Sequence, residues 1–147
     1  MTELGGVWHP LRNHSPEVDW CRLENLVGTG MSDANGCLNG VDVWVENKLI
    51  HGNRIKFQPQ QPAWIYRRVA HGGRVFILAR KDGAMYLWHG VQVLRLVGPN
   101  PTVSKSGDIY ADIRNIAPVL KLEEPFDWLL LLRALFGNDA TQGLKPR

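Results

Sequence analysis

The dipeptide Asn39-Gly40, set between two strand-like segments, constrains this chain more than any other feature. Asn-Gly is favoured in two-residue hairpin turns because both central positions need positive φ. Residues 31–37 (MSDANGC) and 41–49 (VDVWVENKL) flank it and read as the two strands. With a two-residue turn Leu38 faces Val41, and the numbers of paired residues sum to 79. Asp33 then stands directly opposite Glu46, with Cβ atoms about 4.5–5.5 Å apart. Lys48 follows Glu46 by two residues and shares its face. Two carboxylates held that close repel unless a cation lies between them or one keeps its proton. The spacing Asp-x12-Glu-x-Lys therefore describes a divalent metal site with a lysine beside it.

A length of 147 residues is that of a single domain, spanning 1–147 and able to bury a core. Hydrophobic residues make up 44% and charged residues 21%, a balance that separates the chain from disordered sequences. No apolar run approaches the roughly 20 residues needed to span a bilayer. The start, MTELGGVWHPLRNH, lacks a charged-then-apolar secretory pattern. An intracellular, cytoplasmic protein with no membrane partner is the expectation. Cys21 and Cys37 are then expected as two free buried thiols, with one disulfide as the alternative. His9, His14, His51, His71 and His89 are scattered, which disfavours a zinc site.

Charge is segregated. From Asn47 through Lys81 there are eight basic residues and no acid: Lys48, Arg54, Lys56, Arg67, Arg68, Arg74, Arg80 and Lys81. The rest of the chain carries nine basic and fourteen acidic residues. A positive face suited to a polyanion follows. Arg54, Lys56, Arg67, Arg68 and Arg74 are its candidate nucleic-acid contacts, and solvated charges on a helix and strand ends are the competing explanation.

Ser15-Pro16-Glu17 reads as a helix start, with the helix running through Trp20, Leu23 and Glu24 toward Asn25. After the hairpin, Gln61 to Ala70 reads as a helix stopped by Gly72-Gly73. Residues 74–80 (RVFILAR) form a strand, Asp82-Gly83 turns it into residues 84–88, and 91–97 fit strand or helix. Residues 98–108 read as loop, and Pro125 opens a last helix through Phe136. That helix holds more apolar surface than one buried stripe needs, leaving some for an oligomer contact. The order predicts an α/β or α+β sandwich around a mixed central sheet flanked by helices.

Asp33 and Glu46 offer hard oxygen ligands that suit Mg²⁺ or Mn²⁺. The main-chain carbonyl of Asn47 is a further candidate ligand. Lys48 is placed to orient an attacking water or to neutralise a pentacoordinate phosphate. Trp44, Trp64 and Trp88 are candidates for base stacking as well as packing.

Four segments occur in order: Arg22-Leu23-Glu24-Asn25, Gly30-Met31-Ser32-Asp33, Trp44-Val45-Glu46-Asn47-Lys48 and Gln61-Pro62-Ala63-Trp64. Together they resemble the PD-(D/E)XK nuclease superfamily, in particular its small phage and bacterial VRR-Nuc and Holliday-junction-resolvase-like branch. The resemblance covers a core of about residues 17–90 and leaves 91–147 as an extension. It implies a restriction-endonuclease-like core and a metal-dependent DNA endonuclease. In it Asp33 and Glu46 hold Mg²⁺ or Mn²⁺, Lys48 is catalytic, Glu24 is the helix acid and Gln61 the helix glutamine. Ser32 stands where the family has proline, and Asn47 where an apolar residue is commoner. Branched or junction DNA is the implied substrate, and cutting a junction needs two sites, hence a homodimer. The competing class is a non-catalytic nucleic-acid-binding or interaction module that keeps the fold.

Overall fold

A π-helical turn, Leu4–Trp8, runs straight into α1 (His9–Asn13) at the start of the chain. Strand β1 (Asp19–Arg22) then pairs antiparallel with β2 (Ala34–Leu38), which turns through Asn39 and Gly40 into the long β3 (Val41–His51). Asn39 and Gly40 have φ of 46° and 83°, as the hairpin turn requires. Leu38 faces Val41 and Ala34 faces Val45, so the register is the one expected from the dipeptide. The structure is a computed structural model and describes residues 1–23 and 30–146.

Next come β4 (Arg54–Phe57) and α2 (Gln61–Ala70), and the chain returns parallel to β3 as β5 (Val75–Lys81). An antiparallel β6 (Ala84–His89) follows, then a short 3-10 turn, Gly90–Gln92, leading into α3 (Val93–Val97). The last third adds β7 (Thr102–Val103), β8 (Ile109–Asp112), β9 (Leu120–Glu123) and α4 (Trp128–Phe136). The sheet runs β7-β8-β4-β3-β5-β6-β9, with β2 and then β1 attached to the β4 side of β3. It is mixed, as expected, because only the β3–β5 pair is parallel among the described strands.

Both faces of the sheet are covered. Phe76 and Leu78 of β5 face a core built with Val7, Trp8, Leu11 and the apolar side of α4. Val75, Ile77 and Ala79 face a second core built with Trp64 and Ile65 of α2 and Val93 and Leu96 of α3. A strand buried on both faces reads as a continuous apolar run, which is why RVFILAR gives no alternation. The surplus apolar surface of α4 goes into the first core, leaving Leu130 as its exposed large side chain.

One predicted helix does not form. Ser15 closes α1 instead of opening a new helix: its buried hydroxyl donates to the Leu11 carbonyl and accepts from Trp20 Nε1 at 2.8 Å. Residues 19–22 are strand because Trp20 lies flat on Gly36 of β2. A Cβ at Gly36 would come within 2.6 Å of that ring. Residues 98–108 are largely loop as expected, apart from β7. Cys21 and Cys37 are free, but Cys21 is exposed and Cys37 only partly covered, so they are not buried thiols. Strand pairing sets Cys37 against Asp19 and Cys21 against Asn35, which separates the two sulfurs. Among the described residues no helix is long and apolar enough to cross a membrane.

Candidate active site

The site is a notch in the sheet. On one edge β3 is paired with β5 from Trp44 through Leu49. On the other edge β2 ends at the Ala34–Val45 pair and β4 begins at the Ile50–Ile55 pair. Among the described residues, 46–49 have no strand partner on that side. Asp33 fills part of the gap: the Asn47 main-chain N–H donates to Asp33 Oδ2 at 3.0 Å. The N–H and C=O of one strand residue face the same edge, so the Asn47 carbonyl points into the notch as well. Gly30 lets the segment entering Asp33 pass close to the start of α2. Its φ is 72°, and a Cβ there would lie 2.4 Å from the Gln60 carbonyl oxygen.

Glu46 is the buried centre of the arrangement, at 1% exposure. Gln61 Nε2 donates to Glu46 Oε1 at 3.0 Å, and Lys48 Nζ lies 3.4 Å from the same oxygen. Lys48 donates to Gln61 Oε1 at 2.8 Å, and the Gln58 main-chain N–H donates to that oxygen at 2.9 Å. Gln61 sits in the first turn of α2, where Pro62 favours a helix start. Its amide thus ties the helix to the carboxylate and the ammonium together. The Lys48 ammonium also lies 5.1 Å from the Phe57 ring, a face that favours a cation.

Among the described residues Glu46 Oε2 is buried with no hydrogen-bond donor, and the carboxylate lies against that of Asp33. Burial raises the Glu46 pKa well above the usual carboxylate range, and nearby Asp33 raises it further, while Lys48 opposes both. Two carboxylates this close are relieved either by a proton shared between them or by a hard cation that both can ligate. Among the described residues no three His, Cys, Asp or Glu side chains converge as an all-protein cage would need. Mg²⁺ seldom uses such cages. It is held by one or two carboxylates, water and substrate oxygens. Asp33, Glu46 and the Asn47 carbonyl fit that requirement by chemistry and number.

Glu3 also reaches the notch, a residue the sequence reading missed. Together with Asp33, Asn47, Arg22 and Leu23 it lines a cavity of about 300 Å³. Surrounding protein raises the Glu3 pKa; Lys48 opposes that rise and Asp33 adds to it. Glu3 is the sole acid before Glu17, and Val7, Trp8 and Leu11 have one-sided helical spacing. Gly5, Gly6 and Pro10 disguised the helix.

Glu24 lies outside the described residues. The helix meant to carry it is strand at 19–22, and the helical segment preceding the sheet begins instead beside Glu3. Of the basic segment, Arg54, Lys56, Arg67 and Arg68 are exposed. Arg68 leans over both Trp44 and Trp64, its guanidinium 5.4 and 5.6 Å from the ring centroids. Arg74 is engaged elsewhere: Nε and Nη2 donate to the Leu135 carbonyl at 3.1 and 2.7 Å, tying β5 to α4. Its expected phosphate contact is replaced by a packing role, because the end of α4 leaves that carbonyl open. Arg80 and Lys81 are likewise bound to main-chain oxygens of Gly6 and Gly52. Trp88 is fully buried and cannot stack on a base.

The sheet order and its covering helices define a restriction-endonuclease-like fold of the resolvase type. Among solved structures the chain is similar to Hjc from Archaeoglobus fulgidus, a Holliday junction resolvase from an archaeal hyperthermophile. The TM-score is 0.51 at 7% identity, over 74% of this chain and 87% of that one. No family model and no curated protein matches the sequence.

Proposed function

We propose that this protein is a metal-dependent DNA endonuclease that hydrolyses phosphodiester bonds in branched or junction DNA. The observation that carries the reading is Glu46, buried with one carboxylate oxygen that meets no donor among the described residues and set beside Asp33, Lys48 and Gln61. Structural-only sites seldom leave such a group uncompensated. The likeness to a Holliday junction resolvase supports junction DNA, and the motif residues support the VRR-Nuc or Holliday-junction-resolvase-like branch.

Asp33, Glu46 and the Asn47 carbonyl would hold Mg²⁺ or Mn²⁺. Bound there, the ion would supply an acidified water and neutralise charge building on the phosphate during in-line attack. The protein's own groups do the positioning. Gln61 fixes the Glu46 carboxylate through its amide N–H and fixes Lys48 through its carbonyl oxygen. Lys48 keeps a positive charge beside the notch, where it stabilises the phosphoryl oxygens as their charge rises. Glu3 offers a carboxylate at the open side, able to accept a hydrogen bond from the attacking water. Phe57 of the second core lies beneath Lys48 and backs the site with apolar surface.

Of the acid-free segment, Arg54, Lys56, Arg67 and Arg68 are exposed and would meet the DNA backbone. DNA as substrate places the activity inside the cell, and two cuts per junction call for a homodimer. The test is labelled linear, nicked, flap and four-way-junction DNA incubated with Mg²⁺, Mn²⁺ or EDTA. Cleavage that needs the ion and prefers branched substrates is expected. Binding without cleavage in either ion would make the protein a non-catalytic DNA-binding module.

A further inference from the structure

A second cavity, of about 520 Å³, lies beside the notch. Glu3 lines both cavities, and Lys48 lines the second. Its other walls come from the ribbon that β4 and β8 add to β3: His51, Lys56, Gln58 and Tyr110. Lys56 is the register partner of Tyr110, and His51 is the partner of Arg54. The Arg54 guanidinium lies 5.7 Å from the Tyr110 ring and steadies it. Among the described residues neither Lys56 nor His51 enters an ion pair. The cavity thus presents basic groups, one aromatic ring and one amide beside a single carboxylate, Glu3.

We propose that this cavity is a strand-binding subsite: it takes the nucleotide next to the cut phosphodiester, with its phosphate on Lys56 and His51 and its base or sugar against Tyr110. The inference rests on the nuclease reading for the identity of the strand. The cavity shares the Glu3 wall with the notch and is lined by Lys48, so a chain cut at Asp33 and Glu46 passes beside it. Unpaired ammonium and imidazole groups favour a polyanion, and an aromatic face favours a base irrespective of its identity. β8, from a part of the chain with no role in the sequence reading, thereby helps select substrate. A nucleotide must leave its stack to reach Tyr110, which favours branch points over intact duplex.

The test uses the full chain and Lys56→Met and Tyr110→Ala variants, on branched DNA with abasic nucleotides placed singly on either side of the cut. Both variants should raise KM by about tenfold, the scale of losing one stacked base or phosphate contact. One abasic position should weaken wild type and leave Tyr110→Ala indifferent. Lys56→Met should also reduce the salt slope of binding by about 0.7–0.9. Lys56 is exposed, so that variant tests the proposal even if Tyr110→Ala folds poorly. Variants matching wild type in KM at every abasic position overturn the subsite and leave the nuclease reading standing. If wild type cuts no DNA with Mg²⁺ or Mn²⁺, the nuclease reading falls, and fluorescence anisotropy decides the subsite. DNA binding about tenfold weaker in Lys56→Met supports it, and unchanged binding overturns it.

Discussion

The Asn47 main-chain N–H donates to Asp33 Oδ2 at 3.0 Å, anchoring one carboxylate oxygen to the open edge of β3. The anchor separates the structural role of Asp33 from its charge. Asp33→Asn keeps an oxygen acceptor for Asn47 and removes the charge, whereas Asp33→Ala removes both. Asp33→Asn should therefore melt near wild type while metal-dependent cleavage falls by about 100-fold or more. Retained turnover in folded Asp33→Asn would count against the metal role.

Lys48 offers a different split between binding and rate. Lys48→Met should abolish most turnover while Mn²⁺ affinity stays equal or rises, because a cation next to the ion site is gone. The variant also leaves Glu46 buried without its counter-charge, which costs about 3–5 kcal/mol when a buried pair is broken. Glu46 would offset part of that cost by taking a proton or an ion. Mn²⁺ should therefore raise the melting midpoint more in Lys48→Met than in wild type. Calorimetry showing lost Mn²⁺ binding with unchanged turnover would contradict this assignment.

Gln61 holds three partners at once: Glu46, Lys48 and the Gln58 main chain. Gln61→Leu fills the space without bonding any of them, and each buried group left bare costs about 1–3 kcal/mol. Denaturant midpoints should drop and turnover should fall with them. Gln61→Glu keeps an acceptor for Lys48 but sets a further negative charge beside Glu46. It should restore stability only in part and should not restore turnover. Wild-type turnover in Gln61→Leu would reduce the amide to packing.

The hairpin was legible because a two-residue turn fixes register over short range. Asn39 and Gly40 set the register, and the strand period added Lys48; the ladder stops at Ala34–Val45, so Asp33 reaches Glu46 not as its strand partner but from just beyond β2, held by the Asn47 N–H. The start of α2 was legible through Pro62, while Gln61 itself was singled out only by the family resemblance. Glu3 was not legible, because its helix starts with a wide turn through Gly5 and Gly6 that propensity argues against. Strand β1 was hidden for a similar reason. Ser15-Pro16 imitates a helix start, and the contact that overrides it, Trp20 on Gly36, spans residues whose pairing no local pattern reveals. Arg74 looked like its basic neighbours, and the Leu135 carbonyl that binds it lies far along the chain.

His89 gives the fold a pH dependence outside the notch. Its Nδ1 accepts from the Val91 N–H at 3.0 Å, and the His89 main-chain N–H donates to Gln92 Oε1 at 2.9 Å, capping the Gly90–Gln92 turn. An accepting Nδ1 must be unprotonated. Burial, with the Arg74 charge adding to it, lowers the His89 pKa below the usual imidazole value. In the window from about 6.5 downward the unfolded chain binds more protons than the folded one, so stability rises with pH there and is lost on acidification. His89→Asn keeps a capping acceptor and does not titrate. Its urea midpoint should fall less between pH 7 and pH 5 than that of wild type, and equal slopes would rule out His89 as the source.

Arg67 and Arg68 are adjacent on α2 but differently placed. Arg68 spreads over Trp44 and Trp64, whereas Arg67 makes no ring contact among the described residues. Each phosphate neutralised releases condensed counterions, giving a salt slope near −0.9 per contact on duplex DNA. Arg67→Ala should flatten the slope by about that amount and leave the melting midpoint unchanged. Arg68→Ala should additionally lower stability by about 0.5–1 kcal/mol per lost ring contact at an exposed site. Because both arginines stand apart from Asp33 and Glu46, Mn²⁺ affinity should be equal in the two variants. The decisive measurement is DNA affinity against salt for each single variant beside its melting curve. If neither arginine changes the slope, α2 is a solvated face and the DNA runs instead along Arg54 and Lys56 of β4.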